Sequence, residues 1–367
     1  MAVVALVVAT AGASASAAQA LPANFWGVVP QGILNLEQFQ RLSRGGVDSV
    51  RIPIGWSAVQ PVQGEAFNWA GIDFQIEEAS KAGIEVLPFV SGAPTWAVPS
   101  VFVPGSHHSV RAPAHLPVSG PGRAGWISFI TAAVARYGPS GSFWAEHPEV
   151  PSRPLRTWQI WNEANFKYFV AKPDPGEYGK LVKISYAAFK AADPGSKVVL
   201  GGLFAQPVEA ESNIKPPRAY FAADFLQQMY ERTPGIKSKF NGVALHPYTG
   251  TYQRLMPQIE EFRAVLKANH DLGKGLWITE MGWSSKPPTS SENTFAKGVN
   301  GQAAQLKGAF SLLKSHQRQL NLQRVYWFSV DDAPSSCNFC DGSGLFAEGF
   351  VPKKSWYSFV KFAGGTP

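Results

Sequence analysis

Cysteine is almost absent, with 2 in 367 residues, Cys337 and Cys340, in the loop-like stretch "SSCNFCDGSG". So few exclude a disulfide-stapled scaffold and a four-cysteine zinc site. The two-residue gap leaves a redox pair, half a zinc site or a small ring. Zinc would need two further ligands, and in an exported chain a local disulfide is the expected answer. Charge is also scarce, at 16% of residues with a formal net +7, below the usual quarter or so. The basic residues are scattered, which argues against nucleic-acid binding. No long apolar run is present. The opening "MAVVALVVATAGASASAAQALPANF" has an apolar run of about a dozen residues, short of the 18 or so that span a bilayer. It reads as a signal peptide over residues 1–20, lacking its basic n-region and cut near Ala18 or Ala20. With no later apolar span, the mature chain is expected to be secreted, free of a transmembrane anchor, and monomeric. Internal repeats and a G-x-G-x-x-G turn are missing as well, which excludes a solenoid and weakens a doubly wound nucleotide-binding sheet.

Aromatic residues are plentiful: 12 Trp, 24 Phe and 10 Tyr. In a core they pack, and in a cleft their flat amphipathic faces suit sugar rings. Short apolar runs recur along the chain. They are "NFWGVV" from Asn24, "VDSVRIPI" from Val47, "IEVLPFV" from Ile84, "LRTWQIW" from Leu155, "KVVLGGL" from Lys197, "FNGVALHPY" from Phe240, "GLWITEMGW" from Gly275 and "RVYWFSV" from Arg324. Most lack period-two alternation, as parallel strands covered on both faces do. Helical patterns lie between them. Tyr178, Leu181, Val182, Tyr186 and Phe189 share one face, as do Leu255, Ile259, Phe262 and Leu266, and "KKSWYSFVKF" supplies a final helix. This alternation predicts a single-domain (β/α)8 barrel over residues 21–367, since no linker divides the chain. Residues 92–121, 284–300 and 333–350 then form long loops at the C-terminal ends of strands three, seven and eight, where barrel active sites gather.

Under this reading Glu163, in "TWQIWNEANF", ends the fourth strand, and Glu280, in "LWITEMGW", ends the seventh. Two carboxylates facing one mouth are what glycosidic bond cleavage requires. At roughly 5 Å and an effective dielectric near 20 they would repel by about 3 kcal/mol, enough to keep one protonated while the other is ionised. His107 and His108, with His115 nearby, read as solvated or sugar-contacting rather than as a metal site. Asp331 and Asp332 read as the start of the eighth loop or as partners of its backbone.

"WNEAN" (Trp161–Asn165), "HPY" (His246–Tyr248) and "ITEMGW" (Ile278–Trp283), in this order, resemble the (β/α)8 clan A of retaining glycoside hydrolases. The flavour is closest to families 39 and 5, in which the first motif usually reads Trp-Asn-Glu-Pro; Ala164 replaces that Pro here. The resemblance implies a cofactor-free, metal-free enzyme acting on a carbohydrate, with Glu163 as general acid/base and Glu280 as nucleophile. It implies that Asn162 donates to the sugar 2-hydroxyl, Tyr248 holds the nucleophile and His246 lines the sugar subsite. Arg51, placed late in the second strand, would pair with Glu280. Trp327 would floor the sugar site and precede a non-prolyl cis peptide. Trp283 and Trp96 are further candidate platforms. Two other functions fit the same scaffold: a catalytically silent carbohydrate-binding protein, and a transglycosylase.

Overall fold

The computed structural model describes residues 20–104, 109–206, 216–288, 295–334 and 339–367. Eight strands of its nine-stranded central sheet form a barrel: β1 (Trp26–Val29), β2 (Ser49–Gly55), β3 (Glu85–Ser91), β4 (Thr157–Ile160), β5 (Lys197–Leu200), β6 (Gly242–His246), β7 (Gly275–Met281) and β8 (Leu322–Phe328), and the two-residue Leu203–Phe204 pairs beside β6. Each of the eight pairs in parallel with its sequence neighbours, and β8 pairs with β1, so the sheet closes into a barrel. A long helix follows each strand: α1 (Leu36–Arg44), α2 (Ala70–Lys81), α3 (Gly120–Tyr137), α4 (Pro175–Ala192), α5 (Ala222–Arg232), α6 (Leu255–Ala268), α7 (Gly298–Ser315) and α8 (Lys354–Ala363), with short helices at Trp56–Val59 and Ser142–Glu146 besides. This is the expected (β/α)8 architecture. None of the described helices is long and apolar enough to cross a membrane.

The local chemistry explains the boundaries. Asn35 and Gln38 form a reciprocal capping box at the start of α1, which satisfies two otherwise orphaned N–H groups. Asp174 caps α4, with Pro175 in its first turn where no N–H is needed. Every residue of β6 is buried, because one face meets the barrel interior and the other the helices. The interior is filled by Val29, Leu87, Val199, Ala244, Trp277 and Tyr326, with Phe328 above them. The main apolar layer lies outside, between strands and helices.

Polar groups close the lower end. Ser49 Oγ and Tyr326 OH lie 2.8 Å apart, and Arg324 donates to Glu85 at 2.8 Å. Residues at this N-terminal face of a barrel serve stability. The third loop, expected as a long strand-to-helix loop, carries a short antiparallel pair. Ser100–Val103 pairs antiparallel with Val110–Pro113, which satisfies backbone groups that a bare loop would leave to water.

Candidate active site

The fourth strand ends at Ile160, and the chain then turns inward. Trp161 and Glu163 both adopt the left-handed backbone region, at φ 69° and 41°. Such conformations cost on the order of 1–3 kcal/mol each and persist where the surroundings over-determine them. Here Trp161 N–H donates to Val90 O, and Glu163 N–H donates to Gly202 O. Trp161 is held outward against Trp126, while Asn162 and Glu163 face the mouth. These bonds fix the backbone around Ala164 although the usual Pro is missing.

Glu280 arrives by a different device. Trp277 and Thr279 face the barrel interior, so strict alternation would turn Glu280 toward the helices. The register against β8 shifts between Ile278 and Met281, and this irregularity lets Glu280 face the mouth as well. Irregular pairing of this kind re-aims side chains beside active sites. One carboxylate oxygen each from Glu163 and Glu280 and one His246 ring nitrogen all lie within 4.8 Å of one another.

Arg51 binds this arrangement together. It is the third residue of seven in β2, earlier than expected, and wholly buried. Its guanidinium donates to Glu280 Oε1 at 2.5 Å, to Asn162 Oδ1 at 2.6 Å and to Gln159 Oε1 at 2.6 Å, and it lies 4.0 Å from the Phe89 ring centre. Tyr248 OH donates to Glu280 Oε2 at 2.9 Å. With Arg51 on its Oδ1, Asn162 keeps its amide N–H groups to offer to a ligand.

The two carboxylates therefore sit in different electrostatic surroundings. Burial pushes the Glu163 carboxyl well above the ordinary range, and the charge of Glu280 pushes it further, against a weaker opposing pull from Arg51. Burial raises Glu280 too, but the Arg51 cation and the Tyr248 hydroxyl offset part of the rise, so its net shift is upward and smaller. The Glu163 carboxyl is thus held further toward its protonated form, and Glu280 is the better anion.

His246 is completely buried, with Nδ1 at 2.7 Å from Glu163 Oε1 and Nε2 at 3.0 Å from Thr279 Oγ1. Burial and the nearby Arg51 charge hold its pKa well below the usual value, so the ring is neutral. Expected to line the sugar subsite, the ring stands behind Glu163 with both nitrogens engaged by protein side chains. Glu163, His246 and Glu280 are also of metal-ligating type, but the same internal hydrogen bonds engage the atoms a metal would need.

The tryptophans divide differently. Expected to floor the site, Trp327 has no exposed surface, packs against Trp283 and Phe310 and donates to Ser343 O at 3.0 Å. Alternation along β8 puts Tyr326 and Phe328 inside the barrel and Trp327 among the outer helices, so Phe328 takes the inward place. The non-prolyl cis bond is Phe328–Ser329, one residue later than expected. Trp283 is buried and donates to Thr249 O at 2.7 Å, which makes it a loop anchor rather than a platform. Trp96 is half-buried, edge-on against Trp56, with its N–H on Gln60 O.

His107, His108 and Cys337 lie outside the described residues; Cys340 is disulfide-bonded. His115 lies 3.9 Å from Glu177. Asp332 accepts from Gly344 N–H and from Lys353, which ties the eighth loop as anticipated. Sequence reasoning missed Gln159, Thr279, Gly202 and Asn165. Gln159 links Arg51 to Thr279 and Leu200 O, and Asn165 clamps Phe204 and Tyr220. The signal for Gln159 was a lone amide in the apolar strand "TWQI", since a buried polar side chain always needs a reason.

Comparison with known proteins agrees with this architecture. Residues 161–356 match the family described as "Glycosyl hydrolase catalytic core". The fold is similar to that of a family 39 glycoside hydrolase from the gut symbiont Bacteroides cellulosilyticus, at 20% identity and a TM-score of 0.67, covering 94% of this chain and 64% of that one. A family 39 β-xylosidase from Caulobacter crescentus matches at 19% identity and a TM-score of 0.65, covering 94% and 72%. A probable glucan 1,3-β-glucosidase A from Aspergillus niger is 35% identical over 80 residues, 21% of this chain and 18% of the relative. The chain thus spans less than two thirds of the length of the Bacteroides and Aspergillus proteins. With more than half of its residues matched, this chain belongs to the glycosyl hydrolase catalytic core family.

Proposed function

We propose that the protein hydrolyses O-glycosidic bonds in β-linked oligo- or polysaccharides with retention of anomeric configuration, outside the cell. The observation that carries this reading is the approach of Glu163 and Glu280 oxygens to within 4.8 Å. Retaining enzymes hold their carboxyl groups about 5–5.5 Å apart, whereas inverting enzymes need more room for a water. Cys340, being disulfide-bonded, supports an oxidising compartment, as does the leader-like N-terminus.

In the first step Glu280 attacks the anomeric carbon as the glycosidic bond breaks. The carboxyl proton of Glu163 passes to the departing oxygen. A glycosyl-enzyme ester and a free alcohol result. Water then enters, Glu163 takes its proton, and its oxygen displaces Glu280 from the anomeric carbon. Two inversions leave the configuration unchanged. Asn162 would meet the sugar 2-hydroxyl, a contact worth most in the transition state. Tyr248 and Arg51 hold Glu280 ionised and aimed. No step requires a cofactor.

The test is chemical rescue. Glu280→Ala is expected to lose hydrolysis of an activated aryl β-glycoside and to regain turnover with azide, releasing the α-glycosyl azide. Unimpaired hydrolysis by this variant would remove Glu280 from the nucleophile's role.

A further inference from the structure

The loops around the mouth are unequal. On the side of the nucleophile, the loops after β7 and β8 are fastened to each other. Ser285 N–H donates to Gly342 O at 2.8 Å, and Gln302 Nε2 reaches the carbonyls of Trp283, Gly342, Ser343 and Gly344. Their aromatic residues are used internally. Phe295 and Phe339 stack at 4.7 Å beside Tyr248, and both are buried.

On the side of Glu163 the loops are stitched together as firmly, and although Phe166 and Phe204 stack inside them, three of their phenylalanines are exposed. The antiparallel pair after β3 is joined to the loop after β4 by Ala171 N–H on Pro113 O at 2.8 Å and Lys167 Nζ on Pro104 O at 3.1 Å. The loop after β4 is joined to the loop after β5 by Lys167 N–H on Arg218 O and Tyr220 N–H on Asn165 O. This continuous shelf carries Phe102, Phe169 and Phe221, exposed by 65%, 36% and 38%. Among the described residues one other phenylalanine is as exposed, Phe74 on α2. Arg111 lies directly across from Phe102 in register and shares its face, so it brings a hydrogen-bond donor to the same surface.

We propose that this shelf binds the leaving-group portion of the substrate, a run of β-linked sugars beyond the scissile bond, with Phe102 and Phe169 as stacking platforms. The inference rests on the assignment of Glu163 as the acid. The oxygen it protonates belongs to the leaving sugar, so that sugar departs over the loop that Glu163 begins and over the loops flanking it. Rings held open to water on a firm backbone cost apolar hydration, a cost that stacking on sugar faces removes when substrate binds. Selectivity for chain length thus resides on this side.

The experiment compares two substrates of the sugar that the wild type turns over fastest in a panel of gluco-, xylo-, manno- and galacto-configured glycosides. One is the β-glycosyl fluoride, whose leaving group cannot reach the shelf. The other is the matching β-linked hexasaccharide. Phe102→Ala and Phe169→Ala are expected to lower kcat/KM on the hexasaccharide roughly tenfold each, with the fluoride rate unchanged. As exposed substitutions they should leave thermal unfolding unaltered. Equal losses on both substrates, or no loss on the hexasaccharide, would overturn the shelf while leaving the hydrolase reading intact. A wild type that cleaves no glycoside in the panel would overturn both.

Discussion

Gly202 offers the sharpest test of how the acid is held. An added Cβ at this position would lie 1.9 Å from His246 Nε2, 2.3 Å from its Cδ2 and 2.6 Å from Thr279 Oγ1. Ordinary contact between such atoms begins near 3.5 Å, so the imidazole must retreat by roughly 1.5 Å. That retreat breaks the His246–Thr279 contact and pulls Nδ1 away from Glu163. Gly202 O also accepts the Glu163 backbone N–H, so two supports of the acid loosen together. A displacement of about 1 Å in a catalytic constellation can cost on the order of 100-fold, and overpacking a core position typically costs about 1–3 kcal/mol of stability. Gly202→Ala is therefore expected to fold, with a lowered melting temperature, and to lose about 100-fold in kcat on a β-glycoside with a poor leaving group. His246→Ala removes the ring that the added methyl strikes hardest, so in the double variant the two losses should fall well short of additive, as expected of residues in contact. Steady-state kinetics with circular dichroism on the four proteins decides it. Wild-type kcat in folded Gly202→Ala, or fully additive losses, would refute the positioning argument.

Other expectations concern charge. Arg51→Met leaves Glu280 buried without its cation, so its carboxyl should rise further and the acidic limb of kcat/KM should move to higher pH; an unmoved limb would separate Arg51 from the nucleophile. Removing one partner of such a buried pair typically costs about 3–5 kcal/mol, which denaturant melts of Arg51→Met will read. The Glu163 carboxyl is raised in the folded state, so the stability linked to it is fully present below the ordinary carboxylate range. That stability is lost as pH rises through the folded value. Glu163→Gln cannot ionise, so its melting temperature should match the wild type's in acid and exceed it increasingly toward neutral pH; a constant difference across pH would argue against the shift.

The barrel was legible because parallel strands buried on two faces leave runs such as "KVVLGGL" and "GVALH" that period-two strands do not. Glu163, Glu280, Asn162 and Tyr248 were legible because each falls in a motif whose chemistry demands that residue type, and the structure brings them together with Arg51. Trp327 misled because a run of three aromatics, Tyr326 to Phe328, does not announce which of them faces inward; only the pleat of β8 decides. Glu280 was reached from sequence by motif, but its inward aim depends on a register shift that no pattern of side chains displays. Gly202 and Thr279 were invisible for a related reason. Their importance comes from what stands opposite them, on β6 and across the interior, and sequence order does not encode that. His246 was legible as a member of the site, but its two protein partners were not, since sequence does not show what a histidine's nitrogens meet.

In the proposed reaction Glu280 becomes covalently bonded to sugar while Glu163 moves the proton. Incubation with a 2-deoxy-2-fluoro-β-glycosyl fluoride of a sugar the enzyme accepts, followed by proteolysis and peptide mass spectrometry, tests it most directly. One fluoroglycosyl group per chain is expected, esterified to Glu280 within "LWITEMGW". Label on Glu163 or on another residue would contradict it.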